Sequence, residues 1–202
     1  MAGAGAMNWR ARLNRVRRRL ARVLLYRMLF GEISQGRTLP HTRISAASCI
    51  EHEERLSLGD HVYIGPFNFI EASGGITLEE GVQVTSHVSI TTHSSHRAMR
   101  LLGRDYVTWT GERPGWVAGA VHIGAYSFVG PQVLIEPGTR LGRGTLVRAG
   151  SVVRGSFPDF AVLDGRPAVV VGDARQRDEA LLQRHPELRE RYAAWAAGRD
   201  TT

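Results

Sequence analysis

The chain has 202 residues, 43% of them hydrophobic, and a formal net charge of +7. That length gives one domain with short appendages and enough chain to bury a core. A single cysteine, Cys49, excludes an intramolecular disulfide framework and agrees with a reducing compartment. Lysine is absent, so the basic excess is all arginine, and much of it lies in the first thirty residues. The charge therefore belongs to an appendage more than to the body of the chain.

Residues 7–30 read as a helix. Trp9, Leu13, Val16, Leu20, Val23 and Leu24 keep helical spacing on one stripe, while Arg10, Arg12, Arg15, Arg17, Arg18, Arg19 and Arg22 take the flanks and far side. Arg27 interrupts the apolar run and no small-x-small cleavage site follows, so the segment is expected to be neither a signal peptide nor a membrane span. Three readings compete for it: packing against the end of the folded body or a neighbouring subunit, contact with an anionic membrane, and nucleic-acid binding. No aromatic platform or nucleic-acid motif accompanies the arginines, so no nucleic-acid partner is expected.

Residues 31–43 lead into a stretch that counts in sixes. Aliphatic residues stand at Ile44 and Ile50, then Leu58, Ile64 and Ile70, then Leu78, Val84 and Ile90, with two extra residues at each break. Residues 91–120 abandon the period and are rich in polar and aromatic side chains. The count restarts at Ile123 and continues through Val129, Ile135, Leu141, Val147 and Val153. Four places after the first five of these come Ser127, Val133, Thr139, Thr145 and Ser151. Neither a helix nor a half-buried strand has that period. A solenoid does, if each hexad is one short strand plus one corner and three hexads close a triangular coil. The aliphatic residues then stack inward, and the small or β-branched residues fit the corners. Excursions at solenoid corners are where binding sites sit, so 91–120 is expected to carry the site. Residues 173–198 read as a terminal helix capped at Asp173 or Asp178 and lying over the open end of the solenoid.

These hexads, and the closing run Gly165-Arg166-Pro167-Ala168-Val169-Val170-Val171, resemble the hexapeptide-repeat acyltransferases, in particular sugar and surface-polysaccharide O-acetyltransferases. The resemblance covers roughly residues 44–171. It implies an all-β fold, a left-handed parallel β-helix, set between a basic lead-in (1–43) and a C-terminal helix and tail (172–202). It also implies acetyl-CoA as acyl donor, a sugar hydroxyl as acceptor, no metal, a cytoplasmic location and a homotrimer with active sites between subunits. In such enzymes one histidine, at the start of an excursion, takes the acceptor's proton; a neutral imidazole is suited to that near pH 7. Ile90-Thr91-Thr92-His93-Ser94-Ser95-His96 is the matching place. Counting from Ile90 makes His96 the first candidate and His93 the second. The coil before it suggests Asn68 and Glu71 for acceptor binding, with His87 beside the same cleft. By position, Ala125, Ala149 and Gly150 match the coenzyme A strip, and Arg154 or Arg166 would meet the nucleotide phosphates. Two alternatives remain: a γ-class carbonic anhydrase with three histidines on a metal, and a non-catalytic sugar-nucleotide-binding solenoid.

Overall fold

The computed structural model describes residues 4–198, with side chains from Trp9 onward. Helix α1 (Ala4–Leu25) leads to an antiparallel hairpin of β1 (Met28–Ser34) and β2 (Arg37–Ser45). The helix expected over 7–30 thus ends five residues early. Tyr26 and Arg27 turn the chain, and Met28, Leu29 and Phe30 pair with Ser45, Ile44 and Arg43. The hairpin closes through Gln35 and Gly36, both at positive φ (51° and 75°), the backbone demanded by a tight two-residue turn.

From Arg43 the chain climbs as a three-faced solenoid. Face one stacks Ile44, Ile64, Val84, Val129, Val147 and Leu163 in register. Face two stacks Ile50, Ile70, Ile90, Ile135 and Val153. Face three stacks Leu58, Leu78, Ile123, Leu141 and Phe157. Most of these side chains are fully buried and form one core. The six-residue count is therefore a stack of inward aliphatics, one per face per turn.

The small corner residues are buried too, and their hydroxyls have a second role. Ser127 and Thr145 donate to the Gly142 carbonyl, Thr139 to Glu136 and Ser151 to Arg148. Each satisfies a carbonyl that the sharp corner takes out of the strand ladder.

One excursion leaves the prism at the corner between faces two and three. It opens with the short pair His93–Ser94 against Val117–Ala118, antiparallel, and between these strands runs helix α2 (His96–Leu102) with a following 3₁₀ turn. The return is tight: Gly119 donates to the Thr92 carbonyl, and a Cβ on Gly119 would sit 2.8 Å from the backbone of Gly138.

A hairpin of Ala161–Gly165 and Ala168–Asp173 follows the last coil. The single terminal helix expected over 173–198 is instead two. α3 (Arg175–Arg184) stops at His185, where Pro186 cannot continue it, and α4 (Arg189–Ala196) follows. Asp173 Oδ1 does accept the Arg175 N–H. Trp195 packs on Tyr126 and Phe160, which stand on the levels either side of Gly144 at the corner between faces three and one. So α4 lies along an edge of the prism, and the expected lid across its end is corrected.

Candidate active site

The site is built from two neighbouring coils. Strand Phe69–Glu71 pairs in parallel with Ser89–Thr91, with Glu71 opposite Thr91. That register sets the Glu71 carboxylate beneath the point where the chain departs at Thr92 and His93. Oε1 of Glu71 accepts the Ser73 N–H at 2.8 Å. Oε2 accepts the Thr92 N–H at 3.0 Å and the Thr92 hydroxyl at 2.8 Å. The glutamate is 4% exposed. Burial alone would raise its pKa, but the hydrogen bonds from Ser73 and Thr92 outweigh it and hold the carboxyl down at about 2.

His93 Nδ1 lies 2.9 Å from Glu71 Oε2 and 3.0 Å from Ser73 Oγ. An ionised carboxylate beside Nδ1 favours the tautomer with its proton on that nitrogen, which leaves Nε2 as the basic one. The ring is held flat against Trp116, with centroids 4.7 Å apart and planes 6° from parallel. Its side chain remains 31% exposed. An imidazole with a buried carboxylate behind it and a fixed plane is thus presented at the surface.

His96 is held differently. It opens α2, is exposed, and its Nδ1 lies 2.7 Å from Ser94 Oγ. No carboxylate lies within ion-pair distance of it among the described residues. His93, the second histidine by the count from Ile90, thus has the carboxylate neighbour that His96, the first, lacks.

The acceptor-binding expectation for Asn68 is corrected. Its side chain is buried in the corner stack, where Nδ2 donates to the carbonyls of Gly65 and Thr85 and Oδ1 accepts the Val88 N–H. Nothing of that amide is left for a ligand. Glu71 likewise faces His93 and its own backbone cradle instead of an acceptor. His87 stands on another edge, between faces one and two, against Phe67 (5.1 Å), away from His93 within one chain.

The residues expected to bind coenzyme A are divided among all three edges. Ala125 sits between faces three and one, with its N–H given to Glu79 Oε2 at 2.8 Å. Ala149 and Gly150 lie between faces one and two, where the Arg166 guanidinium donates to the Gly150 carbonyl. Only Arg154 shares the edge of His93, beside Glu136. Along that edge Gly138 donates to the Gly119 carbonyl and Arg140 to that of Gly155. A Cβ at Gly138 or Gly155 would meet nothing within 4 Å, so the edge is an open strip bare of side chains there. Sequence reasoning missed Ser73, Thr92, Trp116 and this glycine strip.

A cleft of about 650 Å³ lies between face three and α4 and is bordered by Asp60, Glu79, Tyr126, Arg143, Arg191 and Trp195; His93 does not line it. Among the described residues His41, Asp60 and His61 bring ligand atoms within 4.8 Å of one another, on a different edge from His93. Their contacts are already used internally: Asp60 accepts the N–H groups of His41 and His61 and the His41 ring.

No protein-family model matches the chain. Curated relatives do. It is 31% identical over 137 residues, 68% of this chain and 43% of the other, to a probable acetyltransferase of Mycobacterium tuberculosis. It is 27% identical over 138 residues, 64% of this chain and 63% of the other, to the galactoside O-acetyltransferase of Escherichia coli. Among solved structures, a hexapeptide-repeat-containing acetyltransferase of Vibrio cholerae complexed with acetyl-coenzyme A superposes with a TM-score of 0.55 at 21% identity, over 63% of this chain and 64% of that one. The chain belongs to the hexapeptide-repeat acetyltransferase family. An N-acyltransferase of Bacillus cereus, in complex with dTDP and coenzyme A, shares the fold at a TM-score of 0.54 and 20% identity, over 72% of this chain and 87% of that one. This hexapeptide-repeat chain spans between 43% and 63% of the length of those two curated relatives. Among the described residues, no helix is long and apolar enough to cross a membrane.

Proposed function

We propose that this hexapeptide-repeat protein transfers an acetyl group from acetyl-CoA to a hydroxyl of a glycan, by direct attack, with His93 as general base. The observation that carries the reading is the His93–Glu71 pair, with Nε2 turned outward at the mouth of the excursion. As the acceptor oxygen attacks the thioester carbonyl carbon, Nε2 takes the hydroxyl proton. The tetrahedral intermediate then collapses, the carbon–sulfur bond breaks, and the same proton passes to the departing coenzyme A sulfur. Glu71 holds the Nδ1–H and offsets the imidazolium charge that forms between the two steps. No covalent enzyme intermediate is needed.

The glycine-bare edge running from Gly119 past Gly138 to Gly155 suits an extended pantetheine arm, with Arg154 toward the nucleotide phosphates. His93 opens onto this edge and not into the cleft between face three and α4. In the homotrimer of this reading, a neighbouring copy supplies the second wall and the sites lie between subunits. The acceptor class rests on relatives: the galactoside O-acetyltransferase, and an Escherichia coli protein, 30% identical over 55% of this chain and 57% of its own length, whose name assigns it provisionally to O-acetyl transfer in lipopolysaccharide biosynthesis. Use of a coenzyme A thioester fits a cytoplasmic location.

The test is thiol release from acetyl-CoA in the presence of a simple galactoside, followed by mass analysis of the sugar. A gain of one acetyl group on oxygen supports the reading. If acetyl-CoA neither raises the melting temperature nor is consumed with any sugar tried, the chain is not an acetyltransferase.

A further inference from the structure

We infer that helix α1, continued by the exposed strand Met28–Ser34, is a docking surface for an anionic lipid bilayer. This goes beyond acetyl transfer and does not depend on it.

The helix is 22 residues long and lies free of the solenoid. From Trp9 on, every side chain but that of Ala21 is exposed, including Leu20 (58%), Val23 (60%) and Leu24 (74%). Leaving those residues in water is unfavourable, so the stripe calls for a partner. At 100° per residue Trp9, Leu13, Val16, Leu20, Val23 and Leu24 fall within one arc roughly a third of the way round. Arg12 and Arg19 border one side of the arc, and Arg10 and Arg17 the other. From those rims, long side chains reach outward to phosphates while their stems lie along acyl chains.

The charge decides among the occupants. α1 contains seven arginines and no acidic residue, and none of the seven is in an ion pair among the described residues. A second α1 laid stripe to stripe would bring the rim arginines of both copies together with nothing to neutralise them. A nucleic acid would use the arginines and leave the stripe in water. A bilayer bearing anionic headgroups satisfies both faces at once.

The exposed apolar surface also continues past the helix into Leu29 (51%), Phe30 (72%) and Ile33 (70%). Tyr26 packs edge-on against Phe67 at 5.4 Å, tying the end of the helix to the prism. The helix is too polar to span, so it lies in the plane of the interface.

The experiment is flotation of the full chain with vesicles of phosphatidylcholine, with and without phosphatidylglycerol. Four proteins are compared: wild type, a triple Arg12→Gln/Arg17→Gln/Arg19→Gln variant, a double Leu20→Asp/Leu24→Asp variant, and a chain lacking residues 1–25. Wild type is expected to float with the anionic vesicles only, and less as salt rises. The triple variant should lose about a hundredfold in partitioning, at about fivefold per arginine. The double variant and the truncated chain should stay at the bottom. All four should keep the same melting-temperature rise with acetyl-CoA, which separates a lost surface from a lost fold. The inference is overturned if wild type does not float, if it floats equally with neutral vesicles, or if the double variant or the truncated chain still floats. It is equally overturned if wild type stays at the bottom and truncation breaks up the oligomer, for the helix would then be an assembly element.

Discussion

Glu71→Gln is the substitution that examines the site most closely. The carboxylate accepts from Ser73 and from Thr92 twice, and His93 Nδ1 lies 2.9 Å from it. An amide of the same shape has one oxygen and one NH₂ group, so at least one of those donors then faces another donor. The depression of the glutamate pKa from 4.5 to about 2 corresponds to roughly 3 kcal/mol of preference for the ionised form. Water at the mouth of the site screens part of this, leaving an expected loss of about 1.5 kcal/mol, or about 3–6 °C in melting temperature for a chain of this size. Activity should suffer more. Without the carboxylate Nδ1 is no longer held as the protonated nitrogen, and kcat should fall by about 10²–10⁴-fold with little change in KM for acetyl-CoA. Thiol release from acetyl-CoA measures the rate, and a thermal melt measures the fold. A Glu71→Gln protein with wild-type turnover and melting temperature would refute the claim that this pair forms the working base.

Other predictions follow from the same geometry. The folded-state pKa of Glu71 lies below its unfolded value, so its contribution to stability is full above about pH 4.5 and is lost as the pH falls toward 2; melts across that window should show the wild type losing more stability than Glu71→Gln. Asn68→Ala strands the Val88 N–H and the Thr85 carbonyl in a buried corner and should cost about 2–4 kcal/mol while leaving kcat near wild type in folded protein, which denaturant titration and the thiol assay can check. Arg154→Ala should raise KM for acetyl-CoA several-fold, whereas Arg166→Ala, on another edge, should not; equal effects would move the donor strip. Light scattering should return the mass of a trimer, and a monomer with full activity would remove the shared-site reading.

How much of this was legible depended on distance along the chain. The coil came through because its signal is local and repeats: each aliphatic in the hexad count faces the core, and the corner residues Ser127, Thr139, Thr145 and Ser151 are buried as their size required. Glu71 behind His93 was legible in principle. Ile50, Ile70 and Ile90 are twenty residues apart, so a residue one place past Ile70 lies one coil below the residue one place past Ile90. The choice between His93 and His96 was not, because the excursion has no period, and the count from Ile90 says nothing of a strand pairing with Val117–Ala118 that fixes the first histidine and frees the second. The coenzyme strip could not be assigned to an edge for a related reason. A six-residue period marks corners but does not say which of three edges each belongs to, so Ala125, Gly150 and Arg154 were grouped although they stand on different ones. The helix expected over 7–30 overran because residues 28–30 are apolar in either state, and only pairing with Arg43–Ser45 decides for strand.

The central claim is that His93 accepts the acceptor's proton. Acetyl-CoA turnover by His93→Ala and His96→Ala, compared at matched melting temperature, tests it most directly. The account predicts a fall of about 10²–10⁴-fold for His93→Ala and a change within a few-fold for His96→Ala. Full activity in His93→Ala, or a collapse confined to His96→Ala, would contradict it.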